Sequence, residues 1–266
     1  MKMVKKILLG FAATALMFGV FSCKMADDEE KAMGGTADKP TVEYENKNNE
    51  NYRCYRSTSF SHAGAIVKVI FENPETSEKS KMGVIFDLHK NDKDKNAVDF
   101  YIIGLSAQSG SDVSNFYVSK FENVTDMQAD NFGTKLENNP ADETELIELA
   151  PGQRITTLPS KAEDGTLSYY VYYKALKEGD YEYAVLDMTD AIAKTLKAKN
   201  LSISSMPEGV TVLKSGTIKN AFTAVTDDSK LPQNKIGCYA MIPPSTKLKG
   251  HWDFFDTYLE AEEIEE

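Results

Sequence analysis

The sequence predicts an all-β protein made of antiparallel strands, with one short helix. From residue 65 onward most segments alternate apolar and polar residues with a period of two, and β-branched and aromatic residues dominate them. Short stretches rich in Asn, Gly, Pro and Ser separate these segments. Strands do not alternate with helices, which excludes a parallel sheet of βαβ units. A sandwich or a barrel of roughly ten to twelve short strands remains.

The strands are expected at residues 65–71, 84–89, 98–103, 116–121, 144–149, 154–158, 168–176, 181–187, 209–214, 216–223, 236–242 and 248–259. The clearest pair is a hairpin, because Ser168–Leu176 and Tyr181–Asp187 flank a four-residue turn that contains a glycine. The period then becomes helical over Asp190–Lys199. Thr189 suits the start of this helix and Asn200 its end.

The N-terminus has the layout of a bacterial lipoprotein signal. Lys2, Lys5 and Lys6 precede an apolar run over residues 7–21, which is too short to span a membrane as a helix. Cys23 follows one residue later, and this segment resembles the relaxed cleavage boxes of spirochaete lipoproteins. The resemblance implies cleavage before Cys23, lipid on its thiol, and several acyl chains, such as palmitate, on this cysteine in all. The alternative is an ordinary signal peptide with an incidental cysteine.

These features divide the chain into a signal peptide at residues 1–22, a flexible tether at residues 23–51 and one β-sandwich domain at residues 52–262. The tether is expected because its charged, amide and glycine residues offer too little apolar surface to offset the entropy of ordering. Lys24 provides no aspartate-type signal for inner-membrane retention. We therefore expect the protein in the bacterial cell envelope, anchored by lipid in the outer membrane.

Composition excludes some partners. Loss of the signal removes three lysines and no acids, so the formal charge moves from −11 to −14. This charge argues against nucleic acid and against anionic lipid as ligands. The three histidines are widely separated and match no metal-binding motif, and neither a metal nor another cofactor is expected.

Two cysteines remain once Cys23 carries lipid. Cys54 and Cys238 lie near the start and the end of the folded region, and the first and last strands of a sandwich are often neighbours. In an oxidising compartment this even pair is a disulfide candidate. The alternative is two buried free thiols that behave as small apolar side chains.

Six segments carry a resemblance to a known fold: Lys81–Asp87, Asp99–Tyr101, Phe116–Lys120, Gly179–Tyr181, Lys235–Ala240 and Trp252–Asp256. Their order resembles the concanavalin-like, laminin-G-type jelly-roll sandwich. The resemblance implies two antiparallel sheets, and the helix near residues 189–206 is an insertion relative to the usual pattern. Members of this fold bind sugars, bind proteins or hydrolyse glycans, so the fold does not choose among these functions.

No catalytic constellation is expected. Glycan hydrolases of this fold carry closely spaced acids on one strand, whereas Asp253 and Asp256 point to opposite faces of a regular strand. The chain contains no nucleophile-elbow, P-loop or dinucleotide motif. The segment Asn91–Asn96 alternates oxygen-bearing side chains as calcium loops do, but it lacks their glycine and distal glutamate, so we interpret it as a polar hairpin loop.

The tyrosines of the predicted hairpin are the candidate ligand-binding residues. In a strand Tyr169 and Tyr173 face one way, and Tyr170 and Tyr172 face the other. If one face is core, the other displays tyrosines, whose rings suit sugar stacking and protein contacts. Tyr170, Tyr172 and Tyr183 are therefore the candidates. The alternative is that both faces are buried, one in the sandwich and one under a loop or the helix.

These observations predict a lipid-anchored lipoprotein that is not an enzyme. Its sandwich is expected to bind a carbohydrate or a protein, and its contact with the membrane is the lipid on Cys23. One alternative is a glycan-processing enzyme of the same fold with an unrecognised acid pair. Another is a structural subunit of an envelope complex.

Overall fold

A computed structural model of the chain describes residues 33–36, 38–47, 49, 51–61, 63–72, 80–91, 93, 94, 97–107, 115–124, 134–137, 143–145, 162, 166–176, 179–219 and 235–258. Cys23 and the cleavage site lie outside these residues, so the signal peptide and the lipid anchor stay predictions. Within the described residues, no helix has the length and apolar character needed to cross a membrane.

Most of the described residues form strands. They are β1 Met33–Gly35, β2 Pro40–Asn46, β3 Tyr52–Ser61, β4 Gly64–Phe71, β5 Ser80–Lys90, β6 Val98–Ala107, β7 Asn115–Val124, β8 Thr134–Glu137, β9 Glu143–Glu145, β10 Leu167–Ala175, β11 Tyr181–Asp187, β12 Thr211–Ile218, β13 Lys235–Ile242 and β14 Thr246–Tyr258. A short helix, α1 at Asp190–Ala193, and two 3-10 turns at Ala198–Asn200 and Ile203–Ser205 lie between β11 and β12.

The strands form two antiparallel sheets of seven strands each. Sheet A has the order β1-β2-β14-β4-β10-β11-β12, and sheet B has the order β8-β3-β13-β5-β6-β7-β9. The chain passes repeatedly between the sheets, for example from β2 to β3, from β4 to β5 and from β13 to β14. The predicted all-β sandwich is therefore confirmed, while the narrower jelly-roll assignment stays a prediction.

One phase of each alternating strand fills the space between the sheets. Val67 and Phe71 of β4 belong to the same buried cluster as Val84 and Phe86 of β5, and all four are fully buried. Apolar faces of two aligned sheets pack about 10 Å apart and exclude water from between them. The period-two pattern in the sequence thus arises because every second side chain of these strands packs in the inner core.

Two side chains of sheet A hydrogen-bond the backbone of sheet B across this core. The Tyr169 hydroxyl donates to the carbonyl of Met82 and accepts the N–H of Leu105 at 3.1 Å. The Trp252 indole Nε1 donates to the carbonyl of Gly83 at 2.8 Å. Both rings are fully buried, so these bonds satisfy polar atoms that have no access to water.

The outer faces of the two sheets are apolar as well. On sheet A, Ile66, Tyr170 and Leu186 pack under residues 188–210, which we call the cover segment. On sheet B, a separate buried cluster includes Phe100 and Ile102 on the side that faces away from sheet A. The described residues therefore form three apolar clusters rather than the single core of a two-layer sandwich with solvated outer faces.

Sheet B must be curved. Its edge strands are β8 and β9, and six peptide steps separate Glu137, the end of β8, from Glu143, the start of β9. Six steps span at most about 22 Å, whereas six strand spacings across a flat sheet amount to about 29 Å. Sheet B therefore bends so that β8 and β9 lie closer together than they would in a flat sheet.

The folded domain begins earlier than predicted. β1 and β2 lie inside the tether predicted at residues 23–51, yet both belong to sheet A, where β2 pairs with β14. Val42 is buried, and the ring of Tyr44 stacks on that of Tyr52 at 4.1 Å. The tether prediction is wrong for these residues, because the outward phase of β2 is charged and lowers the apolar content of the segment. Residues 24–32 remain between Cys23 and β1.

Two strand predictions also differ from the structure. The strands predicted at residues 209–214 and 216–223 are one strand, β12, because Ser215 and Gly216 continue the pairing with β11. Of the strand predicted at residues 144–149, the first two residues lie in β9, and residues 146–149 lie outside the described residues, as does the strand predicted at residues 154–158.

The predicted helix starts as expected but is shorter. Thr189 precedes it and its side-chain oxygen accepts the N–H of Ile192 at 3.3 Å, as a capping residue does. The helix ends at Ala193 instead of continuing to Lys199. There the hydroxyl of Thr195 donates to the carbonyl of Ile192 at 2.7 Å, which satisfies a terminal carbonyl and lets the chain leave helical geometry.

Candidate functional site

The structure buries all three candidate tyrosines. Tyr183 lies between the sheets with 1% of its surface exposed, and Tyr170 and Tyr172 lie on the outer face of sheet A with 1% and 0% exposed. The expectation that these rings form an exposed ligand-binding face is therefore wrong. The alternative holds, because the cover segment packs over the outer tyrosines with Ala193, Leu196 and other apolar residues.

Polar contacts fasten the cover segment to sheet A at its start. Asp190 pairs with Lys68 of β4 at 2.6 Å and accepts a hydrogen bond from the Tyr170 hydroxyl. Burial alone would raise the pKa of Asp190, but the bonds from Lys68 and Tyr170 outweigh it and lower the pKa. Burial and the bond to Asp190 raise the pKa of Tyr170. A neutral tyrosine and an ionised aspartate therefore form a structural contact.

The middle of the cover segment is fastened in the same way. The Tyr172 hydroxyl donates to the carboxylate of Glu182 at 2.8 Å and to the carbonyl of Leu201 at 3.0 Å. Asp256 of β14 pairs with Lys197 at 2.8 Å and also accepts the N–H of Ala198 at 2.8 Å. The acids and tyrosines of this face thus bind the cover segment to sheet A.

The same contacts bear on the possibility of a glycan hydrolase. A bulge between Phe254 and Asp256 in the pairing of β14 with β4 changes the alternation of β14. Asp253 contacts Lys39 and His251, and Asp256 contacts the cover segment, so both acids lie on the outer face of sheet A. The prediction that they point to opposite faces is wrong for this reason. Each carboxylate is engaged in an ion pair.

A charged strip lies beside the cover segment on β2, β14 and β4. Glu72 pairs with Lys249 at 3.0 Å and with Nδ1 of His251 at 2.9 Å, and Nε2 of His251 lies 3.6 Å from Asp253. Burial alone would raise the pKa of Glu72, but the bonds from Lys249 and His251 outweigh it and lower the pKa. Opposite charges neutralise one another along this strip, and such surface pairs contribute little stability.

Asp87 is a buried acid that the alternation of β5 did not reveal. The sequence places it in the outward phase of β5, but a register shift between Phe86 and His89 and a φ of 56° turn it into the core. The Tyr181 hydroxyl donates to its carboxylate at 3.0 Å. The rings of Tyr173 and Tyr181 contact Phe86 beside it. This arrangement joins sheet B to sheet A at one end of the sandwich.

A second aromatic group was also missed by sequence reasoning. Tyr55, Phe100, Phe121, Tyr117 and Tyr239 contact one another on the outer face of sheet B, with ring centroids 4.9 to 6.3 Å apart. All five are buried. The signal was present, because strands such as β6 are apolar in both phases, and such strands are buried on both faces.

Cys54 and Cys238 lie on neighbouring strands without facing each other. Cys54 of β3 is opposite Ala240 of β13, and Cys238 is opposite Arg56, so the cysteines are diagonal neighbours. Diagonal neighbours lie about 7–8 Å apart, at or beyond the ~7 Å between Cα atoms that a disulfide can span. Both thiols are free and buried, which contradicts the disulfide prediction. Burial raises the pKa of both thiols.

We therefore expect Cys54 and Cys238 to resist alkylation in the folded protein and to react fully once it unfolds. In a Cys23→Ser variant these two thiols are the only ones in the chain, so alkylated groups can be counted directly. Iodoacetamide should add nothing under native conditions at mildly alkaline pH, because the thiols are buried and protonated, and should add two groups in urea without reductant. Intact mass spectrometry makes the count. Adducts in urea that form only after reduction would mean that the cysteines are bridged.

In the polar loop predicted at Asn91–Asn96, some side-chain oxygen atoms accept hydrogen bonds from the loop's own backbone. The side-chain oxygen of Asn91 accepts the N–H groups of Lys93 and Asp94 at 2.8 and 2.9 Å, and its amide donates to Asp99. These contacts close a turn between β5 and β6. Across the described part of the chain, no group of three or more His, Cys, Asp or Glu side chains could hold a metal ion.

β12 offers a different kind of surface. It is eight residues long and pairs with β11, and no other described strand pairs with its second edge. The other edge strands, β1, β8 and β9, have three or four residues. Val212 on β12 is 36% exposed, and it is the one exposed large hydrophobic side chain of the described residues. A long edge that no described strand covers, with an exposed apolar side chain, is the feature of the described residues most suited to binding; we call it the free edge of β12.

No family model and no curated protein sequence matches this chain.

Proposed function

We propose that this chain is a lipid-anchored protein of the bacterial cell envelope whose sandwich binds a protein ligand and catalyses no reaction. Cys23 is the acylated residue, and the outer membrane is the site of the anchor. The observation that carries the binding function is the free edge of β12 with exposed Val212. Unpaired strand edges offer backbone N–H and C=O groups to a partner chain.

A protein ligand fits this surface better than a carbohydrate does. Sugar binding by stacking needs an exposed aromatic face, and the rings of Tyr170, Tyr172 and Tyr183 are buried. The aromatic group on the outer face of sheet B is buried too. The described residues instead offer a strand edge and several paired surface charges, which suit contact with another polypeptide.

The anchor sets how far the binding domain stands from the lipid. Ten peptide steps join Cys23 to Met33, the first residue of β1, and they span at most about 36 Å. The long tether expected from the sequence would have allowed more than twice this distance.

The two alternatives make different predictions. A glycan-processing enzyme needs two carboxylates free to act on a bound sugar, and Glu182, Asp253 and Asp256 each hold a structural contact instead. A structural subunit of an envelope complex would use the same edge of β12, but with a permanent partner.

Binding of the acylated full chain in detergent micelles to an array of purified envelope and extracellular proteins, and to a glycan array, tests the proposal. We expect saturable binding to a protein and none to glycans. Val212→Glu should weaken protein binding at least tenfold, because a charge replaces the exposed apolar contact. Lys194→Glu, on the cover segment, is the matched control and should bind as the unmodified chain does. Saturable glycan binding that Val212→Glu leaves unchanged, or cleavage of a glycan, would refute the proposal.

A further inference from the structure

We infer that the protein ligand adds an extended acidic segment to sheet A along the free edge of β12. This inference rests on the function proposed above and specifies how the ligand is held. The segment would continue the antiparallel sheet through backbone hydrogen bonds, the mode in which a peptide adds a strand to an exposed sheet edge. Side chains would then set which segment fits.

The geometry of β12 leaves a regular run for such pairing. Residues 214–218 pair one to one with residues 181–185 of β11, and the bulge is confined to Leu213, which has no opposite residue. No proline interrupts the strand, so each of its residues retains a backbone N–H. Five consecutive residues with fixed register are enough to position a short strand.

Gly216 shows why this edge keeps its shape. A Cβ atom there would lie 2.4 Å from the hydroxyl of Tyr183, so the ring of Tyr183 passes directly beneath the strand. Burial raises the pKa of Tyr183 to about 12, so its hydroxyl stays neutral at physiological pH. Tyr183 therefore supports the edge from inside, although it does not touch a ligand.

Charge identifies the chemistry of the partner. The segment from Gly209 to Lys219 contains two lysines and no acidic residue, in a chain with a net charge of −11. Lys219 pairs with Asp180 at 2.5 Å. Lys214 lies in the middle of β12, and no described residue forms an ion pair with it. A glutamate or aspartate of the added strand would lie beside Lys214, where an opposite charge stabilises cross-strand pairing.

Lys214 would also protect the edge of β12 from pairing with arbitrary strands. A central lysine and a bulge are devices that protect strand edges from indiscriminate association. Both are present in β12. Pairing with a neutral strand would place the Lys214 ammonium beside side chains that do not compensate its charge. A partner strand with an acidic residue opposite Lys214 compensates it. Lys214 therefore protects the edge and also determines which segment can bind.

The test uses the full chain in detergent micelles and two dye-labelled peptides that differ at one position. Both alternate threonine and valine over eight residues, with either glutamate or lysine near the centre. In an anisotropy titration we expect the glutamate peptide to bind saturably and at least tenfold more tightly than the lysine peptide. Lys214→Glu should reverse this preference, and Lys194→Glu should leave it unchanged.

Ser215→Pro should abolish binding of both peptides, because proline in the middle of β12 removes a backbone N–H and disturbs the extended geometry that strand pairing needs. Circular dichroism checks that the variant remains folded, and Lys214→Glu keeps the inference testable if it does not. The inference is refuted if neither peptide binds, if both bind equally and Lys214→Glu changes nothing, or if light scattering shows a dimer that Lys214→Glu dissociates. Saturable binding of a whole protein with no peptide binding would refute strand addition and leave the proposed function standing.

Discussion

Replacing Trp252 with alanine is expected to lower the free energy of unfolding by about 3–5 kcal/mol. Trp252 is fully buried between the sheets, and its indole Nε1 donates to the carbonyl of Gly83 on sheet B. The substitution removes the only tryptophan, leaves a cavity in the inner core and leaves a buried carbonyl without this donor. Urea unfolding followed by far-UV circular dichroism measures the loss, since tryptophan fluorescence is no longer present.

Trp252→Phe separates the two contributions, because it retains an aromatic ring and removes the indole donor. We expect it to cost less than Trp252→Ala. Val212→Ala, at an exposed position of β12, should change stability by no more than about 0.5 kcal/mol. A cost below about 1 kcal/mol for Trp252→Ala would contradict the position of this side chain in the inner core.

Replacing Tyr169 with phenylalanine is expected to cost about 1–3 kcal/mol, although it removes a single oxygen atom. The hydroxyl of Tyr169 bonds both the carbonyl of Met82 and the N–H of Leu105 across the core. Without it, two buried backbone groups of sheet B lose a partner, and water cannot replace it because the ring and both groups are inside the sandwich.

Tyr183→Phe is the matched control for this substitution. Tyr183 is buried between the same sheets, and among the described residues no hydrogen bond of its hydroxyl is seen. Its replacement should therefore change the free energy of unfolding much less than Tyr169→Phe does. Equal losses in the two variants would show that the cost comes from the ring environment and not from the two hydrogen bonds to sheet B.

The hairpin of β10 and β11 shows what sequence reasoning reached. Both strands and the turn between them were predicted close to their observed bounds, because alternation and a glycine-containing turn are local signals. Thr189 as the helix cap was found for the same reason. β2 was missed, because its charged outward phase resembles a flexible segment until β14 is seen beside it.

The candidate site was harder to predict than the fold. The hairpin tyrosines were singled out correctly as an unusual group, but alternation cannot show whether a second face is exposed or lies under another segment. The inward turn of Asp87 depends on a register shift, which leaves no mark in the local pattern of β5. The five rings on the outer face of sheet B had a local signal in the two apolar phases of β6, but that pattern does not show which rings contact one another.

Local sequence patterns were enough to predict an all-β chain, the positions of most strands and, along regular strands, which side chains share a face. These properties depend on neighbours within a few residues. Only the folded structure shows that the described residues form three buried apolar clusters, that Cys54 and Cys238 are diagonal rather than opposite, and that no described strand pairs with the second edge of β12. Register and strand order arise from contacts between residues far apart in the chain, and a shift of one residue would exchange the two faces of a strand.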